Sequence, residues 1–285
     1  MGKTIRTLLE HLRTAPKISL TILLITIFVA LFGNVLAPHS PTAINPRIGE
    51  RPPAFIAGGS WEYPLGTDRL GRDILSRLLV ATRVSLQVSA MVILLGAAVG
   101  VTLGSIAGYS GGWIDTVIMR FVDINLGFPA IVVALVLAAA VGPGFWIVAL
   151  VIGFIAWPRF ARQVRAEVLS IRHRDFVALA TVAGASSRYI LWRHILPNVL
   201  NSVVIVGTVL VGWAIIVEAT LSFLGVGIPP PTPTWGNMVA DGRTYVGRLW
   251  WISLFPGIAI TLVSLSLNLL GDWLRDLLDP KLRNI

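Results

Sequence analysis

Chemistry needs particular side chains at particular spacings, and this sequence offers few of them. No GxxxxGK[ST] run occurs, so the chain has no P-loop to cradle nucleotide phosphates. HExxH and GxSxG are absent as well. The histidines, His11, His39, His173 and His194, are scattered and read as solvated or interfacial residues. There is no cysteine, which excludes disulfides, thiol catalysis and Cys-ligated metal. The sequence therefore predicts a non-catalytic chain with no metal site and no cofactor of its own. Two features remain. One is a basic stretch, Trp157 to Val199, where Arg159, Arg162, Arg165, Arg172, Arg174, Arg188 and Arg193 face only Glu167 and Asp175. The other is Glu218, an acid inside an apolar run.

The elements that must position these residues are apolar helices. The chain is 55% hydrophobic and 13% charged, against about a quarter charged in soluble domains. That deficit predicts an all-α integral membrane protein. The net charge of +9 reflects arginines in short loops between apolar spans, as positive-inside topology requires, rather than a nucleic-acid surface. Lys3, Arg6, Arg13 and Lys17 place residues 1–17 in the cytoplasm. The apolar run 18–37 is long for a signal peptide and lacks a good cleavage site, so it reads as a retained first transmembrane helix.

Residues 38–66 are rich in Pro, Gly and Ser and read as an irregular external segment. Gly66 to Leu86 suggests an amphipathic helix at the interface, capped by Thr67 or Asp68, so residues 38–83 form an external unit. A second span follows from Val84 to Tyr109, lined with small residues suited to close packing in lipid. Gly111-Gly112 reads as a turn. Residues 124–158 carry no charge and are too long for one span, and Gly142-Pro143-Gly144 divides them. The short fourth piece predicts a helix running past Pro158 into the basic stretch. Val199 to Gly225 is a fifth span, residues 228–247 an external proline-rich loop, and Leu249 to Gly271 a sixth span kinked at Pro256-Gly257. The five-helix core is 84–271, its basic loop about 159–198, and the tail 272–285 is cytoplasmic. Six spans put both termini inside, and 15 of the 23 Lys and Arg then fall on the inner side. No internal repeat suggests an inverted-repeat carrier.

Within the basic loop, Arg174 to Ala183 reads as a helix broken at Gly184, with a second helix ending before Pro197. Ala178, Ala180, Ala183 and Ala185 keep one side thin. A thin helix flanked by arginines suits a groove on another protein, or the loop binds lipid headgroups; the residues alone leave both open. Glu218 is a pathway candidate or a structural hydrogen-bonding group, with the second favoured. Asn198, Asn201, Ser202 and Asn268 either line a path or bond across helices. A self-sufficient channel or secondary carrier would need several ionisable groups along the spans, and Glu218 is the one available. A membrane scaffold would leave the ordered breaks of the basic loop unexplained.

The order DFVxxAxxxG, nine residues, then ILP resembles the transmission loop of ATP-binding-cassette importer permeases. Asp175, Phe176, Val177, Ala180, Gly184, Ile195, Leu196 and Pro197 match it position for position. PLGTDRLGRDILSRLL, YSGGWIDTVIMR, HILPN, EATLSFLGVG, TWG and NLLGDWLRDLLDPKLR extend the likeness from residue 64 to the end. Together they are similar to the second permease subunit of the dipeptide, oligopeptide and nickel importers (DppC/OppC-like). The resemblance implies a type I ABC importer (MetI-like) permease fold with six transmembrane helices, in a bacterial or archaeal cytoplasmic membrane. It implies an ATPase-coupling loop containing Arg174, Asp175, Phe176, Val177, Ala178, Ala180, Gly184, Ala185, Ile195, Leu196 and Pro197. Its expected partners are a second, different permease, two P-loop ATPases that bind the ATP and magnesium, and an extracytoplasmic binding protein that carries much of the selectivity. Short peptides are the expected cargo, nickel or another small solute the alternative. The family usually has Glu-Ala-Ala where Ala178, Leu179 and Ala180 stand, so docking here must use shape and other charges.

Overall fold

The computed structural model of the protein describes residues 15–278. The basic segment before them and the end of the expected tail lie outside the described residues. Those residues form helices and loops, and their only β pairing is an isolated bridge between Thr67 and Asp73. In chain order the helices are α1 (Lys17–Leu36), α2 (Ile74–Ser110), α3 (Gly112–Gly127), α4 (Ala130–Val141), α5 (Phe145–Ile171), α6 (Asp175–Val182), α7 (Ser187–Ile190), α8 (Leu196–Phe223), α9 (Trp235–Gly242) and α10 (Trp251–Leu278). Five segments are long and apolar enough to cross a membrane: α1, α2, α5, α7 through α8, and α10. The pair α3–α4, bent by 91°, makes a sixth when it is counted as one span. Apolar side chains at the surface, such as Leu24, Phe28 and Leu31 of α1 and Leu94 of α2, face where lipid would lie.

The tightest helix contact is between α2 and α5, and it has a simple sequence cause. Gly96, Gly100, Gly104 and Gly108 recur every four residues, so they share one face of α2. Backbone meets backbone along that face. A Cβ on Gly100 would lie 2.5 Å from the Trp157 carbonyl oxygen, and one on Gly104 2.5 Å from that of Ala161. In lipid there is little hydrophobic gain from helix association, so close van der Waals contact of this kind supplies it.

Pro158 lies buried within α5, as the sequence predicts for a helix that continues past it. Proline has no N–H to offer the carbonyl four residues earlier, here that of Phe154. Asn125 of α3 donates its Nδ2 to that oxygen at 3.2 Å. A side chain from a neighbouring helix thus satisfies the break, as a segment at membrane depth requires.

Three expectations are corrected. There is no separate interfacial helix before residue 84: α2 starts at Ile74 and runs unbroken to Ser110. Its cap is Asp73, whose carboxylate accepts from the Leu75 and Ser76 N–H groups, not Thr67 or Asp68. Asp68 instead accepts from Arg72 and Arg77, and both arginines also reach Asp241 of α9, at 2.9 and 3.1 Å. The charges that look amphipathic in one dimension are thus paired in a cluster around the buried Asp68 and Arg77 that reaches the distant helix α9. Second, the third apolar segment is not confined to the charge-free residues 124–141: it pairs α3, which begins at Gly112, with α4. Pro129 forces Phe128 into extended backbone, and the chain turns there. Third, Pro197 does not end a helix. A π-turn, Leu191–Ile195, carries α7 directly into α8, where Pro197 occupies the first turn and its missing N–H costs little. α10 also runs seven residues beyond the expected end of the sixth span, through Pro256.

Two outcomes follow. Asn125→Leu strands the Phe154 carbonyl, a loss of about 1–3 kcal/mol; thermal unfolding in detergent should show it, and a Pro158→Ala background should largely abolish it. Asp68→Ala leaves the buried Arg77 and the half-buried Arg72 short of a partner and should cost about 3–5 kcal/mol in the same assay.

Candidate functional site

The basic loop folds as a helix–turn–helix set against the end of α5. Its inner face is apolar: Val177, Ile190, Ile195 and Val199 pack on Val164, Val168 and Ile171. Arg172 closes the join by donating Nη1 to the carbonyl oxygens of Gly108 and Tyr109 at the end of α2, at 3.0 and 3.4 Å. A cation at a helix C-terminus meets both unpaired carbonyls and the negative end of the dipole. Arg165 grips Asp115 of α3 with both ends of its fork, and Arg162 meets Asp123 at 2.7 Å. Three of the seven arginines therefore fix the loop to the helix core.

α6 ends in a Schellman motif. The Gly184 N–H donates to the Thr181 oxygen and the Ala185 N–H to that of Ala180, each at 3.0 Å, with Gly184 at φ +81°. Ser186 caps the next turn through the Tyr189 N–H. This geometry turns the other side of α6 outward. Phe176, Leu179 and Val182 recur every third residue and are 38%, 69% and 87% exposed. Arg174, Asp175, Ala178, Gly184 and Pro197 are exposed beside them, Ala180, Ala185 and Leu196 are half-buried, and Ile195 is in the core. The sequence-predicted loop residues are thus brought together, but in two roles: Val177 and Ile195 anchor, while Phe176, Leu179 and Val182 present. Leu179 and Val182 were not among the predicted site residues. Their spacing from Phe176 was the available signal.

A cleft of about 440 Å³ opens beside this loop, between α5, α8 and α10. Gln163, Glu167, Asn201, Ser202, Asp272 and Arg275 give it a polar lining, with Val206 and Val209 between them. Ser202 donates to Glu167 at 2.9 Å. Of the predicted pathway residues, Asn201 and Ser202 lie in this cleft. Asn198 is exposed and bonds the His194 carbonyl of its own helix at 2.6 Å. Asn268 is exposed where α10 meets Gly212 of α8. Glu218 is fully buried away from the cleft and accepts from Ser222 at 2.8 Å, in the region where α9 packs on α8 through Gly236. Its Oε2 has no hydrogen-bond partner among the described residues.

One residue escaped the sequence reading. Arg159, counted with the water-facing loop, lies well inside α5, with its guanidinium 4.2 Å above the Trp213 ring of α8. Its Nη1 is shielded from solvent and unpaired among the described residues. Continuing the helical period past Pro158 would have aligned it with Gln163 and Glu167.

Comparison with known proteins shows the family. Residues 100–284 match the family described as binding-protein-dependent transport system inner membrane component. The chain belongs to that family. It is therefore a permease subunit, a multi-pass membrane component of a transport system. The permease is 44% identical over 266 residues to the dipeptide transport system permease protein DppC of Escherichia coli K12, covering 93% of this chain and 89% of that one. It is 38% identical over 265 residues to the di/tripeptide transport system permease protein DppC of Pseudomonas aeruginosa, covering 93% and 88%. Over 266 residues it is 38% identical to the dipeptide transport system permease protein DppC of Haemophilus influenzae, covering 93% and 90%.

Gly184→Ala puts a Cβ on left-handed backbone at the α6 stop, which costs the permease about 1–2 kcal/mol locally. Amide exchange in α6 should quicken about tenfold while that in α2 and α5 holds.

Proposed function

We propose that this permease forms half of the translocation path of an ATP-driven importer of short peptides. The observation that carries the reading is the exposed Phe176–Leu179–Val182 face, held outward by a buried anchor. An apolar helix face of this kind lays itself into a groove on a partner, and the partner proposed is an ATPase. Arg174 and Arg188, both exposed near it, would steer the approach. A second permease, different from this one, would complete the path. Two P-loop ATPases would bind below, holding ATP and magnesium, and an external binding protein would deliver the peptide. The basic loop and both termini would then lie in the cytoplasm, which suits the charge distribution.

The mechanism is rigid-body switching with no chemistry in this chain. ATP draws the ATPases together, and α6 moves with them. The anchor of α6 includes α5 residues, α5 is clamped to α2 by backbone contact, and α7 runs through into α8. A shift of α6 would therefore tilt the core helices together. The permease needs two arrangements of similar energy, so that nucleotide state can bias them.

The test is capture of the complex from the native host in mild detergent. Wild type should bring down a second permease and P-loop ATPases. Leu179→Asp and Val182→Asp place charge on the exposed face and should lose the ATPases while keeping the second permease. Recovery of the chain alone, under conditions that preserve complexes, would contradict the reading. Ala178→Glu restores the acid usual in the family, three residues after Asp175. It should weaken ATPase capture, since the groove here is adapted to its absence; unchanged or stronger capture would count against that adaptation.

A further inference from the structure

We propose that Arg159 and Trp213 form a transit site for the carboxylate of the cargo peptide, one helical turn beyond the cleft between α5 and α8. This rests on the peptide-import reading above.

The helical register places the site. Arg159, Gln163 and Glu167 are spaced by four, so they share one side of α5. Ser202, Val206, Val209 and Trp213 are spaced by three and four on α8. Gln163, Glu167, Ser202, Val206 and Val209 line the cleft, and the next position along each helix is Arg159 or Trp213. From Glu167 to Arg159 the track rises about 12 Å. Beyond it the two helices close on an apolar cluster that includes Ile152, Ile155, Ala214 and Val217, and Trp213 packs against that cluster. One turn beyond the residues that line the polar cleft, the same sides of α5 and α8 thus carry a guanidinium and an indole beneath an apolar seal.

The chemistry of that guanidinium is unfinished. Arg162 and Arg165, on the same helix, each hold an acid of α3. Arg159 pairs with no acid among the described residues, and its Nη1 is both shielded and unbonded. An ionisable group inside a span is costly and marks a substrate path by default. The guanidinium carbon lies 4.2 Å from the centroid of the Trp213 ring, and a guanidinium over an aromatic face still offers in-plane N–H donors, through which a carboxylate binds. Both contacts can therefore coexist.

The test uses the complete transporter with its binding protein in proteoliposomes. ATP-driven uptake of alanylalanine and of its C-terminal amide is compared, each saturating the binding protein. Arg159→Gln should lower uptake of the free acid by about tenfold or more, the worth of one charged hydrogen bond, while amide uptake changes less than about twofold. Arg159→Lys should recover part of the free-acid uptake as a point charge without the fork. Should Arg159→Gln fail to co-purify with its partners, Arg159→Lys decides alone: a loss confined to the free acid supports the site. Equal loss for both peptides, or no loss, overturns it and assigns Arg159 to subunit pairing or packing. Wild type that imports neither peptide overturns the peptide reading itself, and this inference falls with it.

Discussion

The rest of the molecule depends on how closely α2 approaches α5. Lipid gives helices no reason to associate by hydrophobicity, so contact must come from shape. The stripe of Gly96, Gly100, Gly104 and Gly108 removes side chains from one face of α2, and the backbone of α5 from Trp157 to Arg165 fills the space. Any larger residue in the middle of this stripe meets backbone atoms, which cannot move aside as a flexible side chain could. Two long helices are thereby locked as one body, and elements on either side take their positions from it.

That body explains the form of the loop. α5 outlasts the apolar span, carries Arg162 and Arg165 to the acids of α3, and ends with Arg172 on the last carbonyls of α2. α6 then has a rigid floor of Val164, Val168 and Ile171. A helix of eight residues would be marginal alone, since nucleation is costly and few bonds repay it. Here a Schellman stop at one end and a buried Val177 hold it. A short rigid element that is exposed on one side and anchored on the other can pass displacement to the membrane core without absorbing it.

Polar groups in the core follow the same economy. The orphan carbonyl left by Pro158 is met by Asn125, and the charges of Asp68, Arg72, Arg77 and Asp241 meet one another. Glu218 is held by Ser222. Each is an answer to the cost of burying an unpaired polar atom. Arg159 stands out because its answer, among the described residues, is an aromatic face and not an acid. Among the buried side-chain atoms of the described residues left without a hydrogen bond, which include Ser105 Oγ, Asn125 Oδ1, Glu218 Oε2 and Trp235 Nε1, Nη1 of Arg159 is the one that belongs to a cation.

Much was legible in the sequence because it depends on local physics. Apolar run length and charge placement determined the spans, and the glycines at 142, 144 and 184 and the charge-free stretch 124–158 marked the breaks. The loop pattern around Asp175 and Gly184 was legible because a Schellman stop needs glycine there. What the sequence could not decide were matters of partnership across the chain. Arg77 looked like the polar side of a surface helix, and only the approach of Asp241, 164 residues away, makes it a buried group. Pro197 looked like a stop, because the π-turn that accommodates it is set by packing of Ile190 and Ile195 on α5. Arg159 looked like one more loop arginine. Which face of α5 meets α8, and so whether that charge sees water or Trp213, is decided by the tertiary packing of two helices whose one-dimensional patterns carry no record of each other.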